Sequence, residues 1–350
     1  MTKKFIGFFS VKERPILAAI LSPVLAVLVA FGIGAILITI AGANPLVAYQ
    51  ALFVGAFGSL HGFGETLAKT TPLLIIGLGL AVAFKSRMFN IGAPGQLYMG
   101  ALAATVVGLT FTGLPAVLLI PLMMAAGFLG GAAFGAIPAL LKARFEVNEI
   151  ICTVLLNYIA LFFVNYLVEG PMKEPGAYVA ATSMLPSSAW LPRLIPGTRF
   201  HAGFLIALLC IPLVYLILEK STLGYRIKAV GASLKSARYG GISVSKYMIL
   251  AMVISGGLAG LAGTIELSAV FYRLEEGFTF EVGFTAIIIA WLGRCHPIGV
   301  GLTALLFGAL INGGQAMHRV TGVPVGLIYA FQGIVLILVL ASEYLVRRKG

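Results

Sequence analysis

The stretch FNIGAPGQLYMGA, Phe89 to Ala101, sets Asn90, Gly92, Pro94, Gly95 and Gln96 at the mouth of an apolar span. Hydrocarbon offers no water to such groups. Backbone that leaves the helix, and side-chain carboxamides, are tolerated at membrane depth only where protein buries them or a wet cavity solvates them. The stretch therefore has two readings: part of a solute path, or a kinked helix start whose Asn and Gln satisfy local backbone. The residues alone leave both open.

Working outward, composition sets the class. Of the 350 residues, 60% are hydrophobic and 10% charged, and mean hydropathy is +1.03. These values predict an all-α, polytopic transmembrane protein. At about 20 residues per span the length accommodates about ten helices in a single membrane domain, 1–350. Apolar runs fall at 16–40, 70–84, 91–110, 115–141, 150–168, 201–219, 247–268, 283–293, 297–315 and 325–345. The eighth is too short to cross alone.

The net charge of +12 does not indicate nucleic acid, because the basic residues are scattered among inter-span loops without interleaved aromatics. They report topology instead. With the amino terminus inside, eighteen of the 24 Lys and Arg fall in cytoplasmic segments, including Lys85, Arg87, Lys142, Arg144 and Arg294. Both termini are therefore expected in the cytoplasm. The basic start followed by Ala41-Gly42-Ala43 imitates a secretory signal, but the run from Ile16 to Ile40 exceeds the roughly 7–15 residues of a signal core. An uncleaved first helix is expected.

Absences exclude most enzyme chemistry. The chain contains no aspartate, which removes Asp-based triads, aspartyl dyads and DxD metal sites. His61, His201, His296 and His318 are far apart and form no HExxH pairing, and Cys152, Cys210 and Cys295 form no CxxC. No catalytic residue, metal site or cofactor is expected. The phosphate-cradling G-x-x-x-x-G-K-[ST] loop is missing too, so any ATP hydrolysis belongs to another chain.

Three segments resemble the membrane subunits of ABC importers for nucleosides and simple sugars, relatives of the ribose and branched-chain amino acid permeases. Phe89–Gln96 matches a signature, FNIG, two residues, GQ, that opens a transmembrane helix in that family. GYRIKAVGASLKSARYGGISVSKY, Gly224 to Tyr247, is similar to the cytoplasmic loop that docks on the ATPase. In this reading 220–246 is the coupling loop. Ala232 to Tyr239 forms a short helix, Gly231, Ala232 and Ala237 are small contact positions, Lys235 and Arg238 meet acidic groups, and Gly240-Gly241 terminate it. A solvated basic loop is the alternative. The loop lacks the glutamate that older importers carry before the alanines. Third, GFTAIIIAWLGRCHPIG, Gly283 to Gly299, resembles a late segment ending LGR, one or two residues, P-x-G. It reads as a half-helix or re-entrant element, or as a tight hairpin. LYMGAL at 97–102 weakly echoes LLFGAL at 305–310.

The resemblance implies a permease subunit in the plasma membrane of a prokaryote, forming half of a translocation path. Its implied partners are a cytoplasmic ATP-binding subunit, a second related permease subunit or another copy of itself, and an extracytoplasmic solute-binding protein or lipoprotein. A nucleoside suits the uncharged groups within the spans. Asn90, Gln96, Asn157, Asn312 and Gln315 can donate and accept hydrogen bonds, and Tyr158 can stack on a base. Inter-helix hydrogen bonding is the competing role for each. The glycines of Ser255 to Gly263 read as a close packing face, and Glu266 behind them is expected to snorkel at a helix end. An ion-coupled secondary transporter, which would have only Glu266 as a carrier group, and a passive channel are the alternative functions.

Overall fold

The computed structural model describes residues 16–278 and 280–348. The four Lys and Arg before Pro15 and Lys349, all used in the topology count, lie outside the described residues. Among the described residues the chain is almost wholly helical. It has thirteen α-helices and two isolated β-bridges, Ala181 with Glu275 and Arg193 with His201. Six helices are long and apolar enough to cross a bilayer, or seven if the pair at residues 28–57, bent through 118°, counts as one span.

The chain divides into two compact units. One comprises residues up to Gly58 and from Leu310 onward, with α1 (Ile16–Ile40), α2 (Pro45–Phe57) and α13 (Val325–Arg348). Its centre is aromatic: Phe31 meets Tyr49, Phe53 and Phe331 at centroid distances of 5.2, 6.2 and 5.1 Å. No span is expected at α2, which is apolar but at 13 residues too short to cross alone. Asn44 nevertheless starts it, accepting from the Leu46 amide at 2.9 Å, and Pro45 supplies the fixed φ of a first helical residue.

The second unit, Ser59–Ala309, is built around α3 (Leu60–Lys85) and α10 (Val244–Glu266). Around them stand α4 (Ala93–Thr110), α5 (Ala116–Phe145), α6 (Glu149–Glu169), α7 (Gly203–Tyr215), α8 (Thr222–Ala232), α9 (Leu234–Tyr239) and α11 (Phe280–Leu292), with α12 (Pro297–Thr321) beginning in this unit. Helix α3 starts ten residues before the expected span at 70. Its first turns carry Glu65, Lys69 and three threonines, which lower hydropathy without breaking the helix. Thr70 and Thr71 return their hydroxyls to the carbonyls of Thr66 and Leu67 at 2.7 and 2.9 Å, and all three threonines are buried. Ser59 caps the start through the Gly62 amide.

Helices α4, α5 and α10 meet through glycine. A methyl group on Gly131 would collide with the backbone of Gly256 and Gly260, and one on Gly100 with the backbone of Gly260. Without hydrophobic drive between helices in lipid, such backbone contact supplies the dispersion that holds them. The predicted packing role of Ser255–Gly263 is what the structure shows.

The eighth apolar run is the 13-residue α11. Arg294 and Cys295 both take left-handed φ, 54° and 50°, turning the chain within four residues into Pro297 at the start of α12.

Candidate functional site

Helix α4 begins where its sequence cannot cap it. Gly92, at the N-cap, has no side chain, and Pro94 has no amide proton. The Gly95 amide is satisfied from another helix, donating to Asn157 Oδ1 of α6 at 2.8 Å, while Asn157 Nδ2 donates to the Ile91 carbonyl at 2.9 Å. Gly95 is needed for this: its missing Cβ would lie 3.0 Å from both Cα and Oδ1 of Asn157.

Asn90 closes a second ring. Its Nδ2 donates to Gln96 Oε1 at 2.8 Å and to Ser255 Oγ of α10 at 2.9 Å, and its Oδ1 accepts from the Gly92 amide at 2.9 Å and from Gln96 Nε2 at 3.0 Å. Thr153 Oγ1 accepts from the Ile91 amide at 3.4 Å. Asn90, Gln96, Thr153, Asn157 and Ser255 are all buried. This carboxamide lock ties the approach to α4 to α6 and α10 with uncharged groups that donate and accept in equal measure.

The other expected path residues lie elsewhere. Tyr158, one residue beyond Asn157, turns about 100° around α6 and is half-exposed, stacked on Phe162 at 6.5 Å. Asn312 belongs to the first unit, where its Nδ2 donates to the Gly55 carbonyl at 3.2 Å, and Gln315 there is exposed. Ser255 and Thr153 went unnoticed in the sequence, since a hydroxyl in an apolar run carries no signal of its partner.

Glu266 does not snorkel. It is 4% exposed and makes no side-chain hydrogen bond within the described residues, and the cations whose field reaches it are Lys69 and Arg199. Gly79 packs on Ser255 and Leu258, so antiparallel α3 and α10 bring Lys69 level with Glu266. That register turns the carboxylate into the bundle. Immediately after it, α10 loosens into a π-helical turn, Leu267–Phe271.

Residues 170–202 cover this end of α10. The Leu191 amide donates to the Ser268 carbonyl at 2.9 Å and the Leu185 amide to that of Tyr272 at 2.8 Å. The segment 193–201 then folds against α3, where the Arg199 amide donates to Glu65 Oε1 at 3.2 Å and Thr198 packs on Gly64. His201 is fully buried with neither ring nitrogen hydrogen-bonded among the described residues, and burial holds its imidazole down at about 4.

At the opposite end of α10, α8 and α9 form an elbow. Ser221 caps α8 through the Gly224 amide and Ser233 caps α9 through the Ser236 amide. The helix expected from Ala232 to Tyr239 is present but begins at Leu234, because Ser233 in extended backbone ends α8 and caps α9. Gly241, with φ of 73°, terminates the elbow, while Gly240 stays at −80°. Ala232, Lys235, Arg238 and Gly240 are exposed. Gly231 is buried against the Lys85 carbonyl, and Ala237 is a small buried residue in the lining of the concave surface beside α9. A concave surface of about 800 Å³ opens between α8, α9 and the start of α10, lined by Tyr225, Ala229, Ser236, Ile242 and Lys246. Tyr239 is 93% exposed beside it, an aromatic in a basic loop that sequence reading passed over.

A bundle of apolar helices enclosing an uncharged polar lock, with a cationic elbow at one end, is the form of a membrane transport subunit. The chain belongs to the branched-chain amino acid transport system / permease component family, which matches residues 62–340. It is 36% identical over 336 residues to a guanosine ABC transporter permease protein of Bacillus subtilis, covering 95% of each chain. It is 35% identical to a glucose ABC transporter permease protein of Haloferax volcanii, covering 93% of this chain and 88% of that one. With a nucleoside ABC transporter permease protein of Lactococcus lactis the identity is 34%, over 87% and 86%.

Proposed function

We propose that the chain forms half of the translocation path of an ATP-driven importer for a nucleoside or related simple sugar. It sits in a prokaryotic plasma membrane, with about ten spans, the short or re-entrant α11 counted among them, and both termini in the cytoplasm. It works with a separate cytoplasmic ATPase, a second permease subunit and an extracytoplasmic binding protein. The observation that carries this reading is the elbow: two short capped helices exposing Ala232, Lys235, Arg238 and Tyr239, a surface suited to an acidic cleft on an ATPase. The family and the names of the relatives support it.

In this reading the carboxamides of Asn90, Gln96 and Asn157 are the groups that exchange mutual hydrogen bonds for contacts with the solute's hydroxyls or base edge. Tyr158 presents its ring on the exposed face of α6. Asn312 and Gln315 are further candidates within their own unit. The test is uptake of radiolabelled guanosine and glucose into proteoliposomes holding the permease with its ATPase and binding protein. ATP-dependent accumulation supports the importer. Accumulation driven by a proton or sodium gradient without ATPase would replace it with a secondary transporter, and downhill flux alone with a channel.

A further inference from the structure

The segment 85–92 touches the elbow through a hydrogen bond and close packing and carries Asn90 of the carboxamide lock in its own chain. Helix α3 ends at Lys85, and Gly231 of α8 packs so closely that a methyl there would strike the Lys85 carbonyl. Two residues on, the Arg87 guanidinium donates from Nη2 to the Ala232 carbonyl at 3.0 Å, on the last residue of α8. Arg87 reaches it from a left-handed backbone with φ of 62°, and its own amide returns to the Phe84 carbonyl at 3.1 Å. The left-handed Arg87 and the Met88 amide, bonded back to Ala83, close α3 as a Schellman stop, which fixes where the Arg87 side chain starts relative to α3.

From Arg87 the chain has no slack. Met88 is fully buried and its amide is bonded to the Ala83 carbonyl at 3.2 Å. The ring of Phe89 lies parallel to Trp291 of α11, 6.3 Å between centroids with 14° between planes, and Phe84 closes the cluster at 5.5 Å from Trp291. Asn90 follows, bonded at both ends of its carboxamide. Three residues therefore separate the carbonyl at the elbow's bend from the lock that joins α4, α6 and α10.

We propose that Arg87 is the positioning residue that transmits movement of the α8–α9 elbow to the carboxamide lock. Its guanidinium grips the Ala232 carbonyl, and the Phe84–Phe89–Trp291 cluster guides the displacement into Asn90. When an ATPase draws the elbow outward, the pull on Ala232 shifts residues 87–90 as one piece. The Asn90–Ser255 and Asn157–Ile91 bonds are the ones strained, since they cross from this segment to α10 and α6. Transmission of this kind needs an element with two discrete arrangements that both ends bias, and a ring of reciprocal hydrogen bonds that opens or closes together is such an element. The inference rests on the elbow being the ATPase-docking site.

Trp291 offers a direct readout, because the chain has two tryptophans and Trp190 lies in the cover at the far end of α10. In a Trp190→Phe background, the permease–ATPase complex in nanodiscs is compared nucleotide-free and trapped with ATP and vanadate, and the emission of a matched Trp291→Phe complex is subtracted. The expected result is a nucleotide-dependent change in Trp291 emission. Arg87→Asn, which tolerates the left-handed backbone but loses the guanidinium's bond to Ala232, should remove most of that change. Arg87→Lys should restore part of it, and vanadate trapping itself should persist in every variant. An undiminished emission change in Arg87→Asn overturns the proposal, as does a parent complex whose Trp291 is silent while nucleotide is trapped. If the unmodified chain binds no ATPase, the docking reading fails first. A complex that forms but ignores Arg87 removes only the transmission.

Discussion

Around Asn90 five side chains close their polar atoms on one another and on backbone, deep inside the unit. At the α8–α9 elbow Lys235, Arg238 and Tyr239 stand exposed, and the helices hold together through serine caps and two small buried residues. In the lock, a polar group left without its partner faces packed protein interior and costs the full desolvation of a buried donor or acceptor. At the elbow, water takes up whatever is released. The first region is therefore specified by stability, and the second is free to be specified by a partner.

The sharpest way to break this comparison is to strain the packing beneath the lock. Gly131→Val places side-chain carbon against backbone on α10 that cannot give way, so a loss of about 3 kcal/mol or more is expected. Size-exclusion chromatography in detergent should show loss of the monodisperse peak. Retention of that peak with a wild-type melting temperature would mean that the glycine contact is dispensable.

Asn157→Ala comes next. It orphans the Gly95 amide and the Ile91 carbonyl together, for about 2–4 kcal/mol. Thermal unfolding of the variant beside the wild type measures the loss. If alanine leaves the midpoint unmoved, the ring contributes nothing to the fold and its polar groups are held for the solute alone.

His201 sharpens the comparison from the other end of α10. Burial holds its folded value at about 4, below the ordinary histidine value of about 6.5, so the unfolded chain binds the proton more readily. The stabilising neutral form is fully present above about 6.5. Stability declines as pH falls from there and levels off below about 4, with on the order of 2 kcal/mol lost by pH 5. His201→Gln should flatten the melting temperature between pH 5 and 6.5 relative to the parent. Equal slopes in both proteins would show that the proton is taken up elsewhere.

The smallest effect on the fold is expected at the elbow. Lys235→Ala, Arg238→Ala and Tyr239→Ala should each shift stability by less than about 0.5 kcal/mol, yet the triple variant should bind the ATPase about tenfold more weakly in a pull-down titration. Unchanged affinity would redirect the docking proposal to another surface.

What could be read from the chain follows the same division. Local devices were legible: the short α11, the glycine face at Ser255–Gly263 and the stop at Gly241 all lie within a few residues of their cause. Partners at long range were not. Asn90 meets Ser255 across 165 residues and Asn157 meets Ile91 across 66, and nothing in either neighbourhood names the other. Tyr158 was grouped with Asn157 by adjacency, although one residue rotates a side chain to another face of the helix. Glu266 was expected at an interface because its depth was judged along one helix, whereas its surroundings are set by the register of α3 against α10. The polar start of α3 was missed because hydropathy registers threonine as loop-like and cannot see its hydroxyl returned to the helix backbone.

The π-helical turn at Leu267–Phe271 gives α10 a fastening. The helix ends with this turn, leaving its last carbonyls without partners inside it, and those of Ser268 and Tyr272 are taken by the amides of Leu191 and Leu185. The cover is thus stitched to the rod by its hem. A helix that pivots beneath a loosely laid cover would slide under it. This one must drag the cover along, so a tilt of α10 of a few degrees at Ser255 is redrawn as a lateral step of the surface that residues 170–202 present.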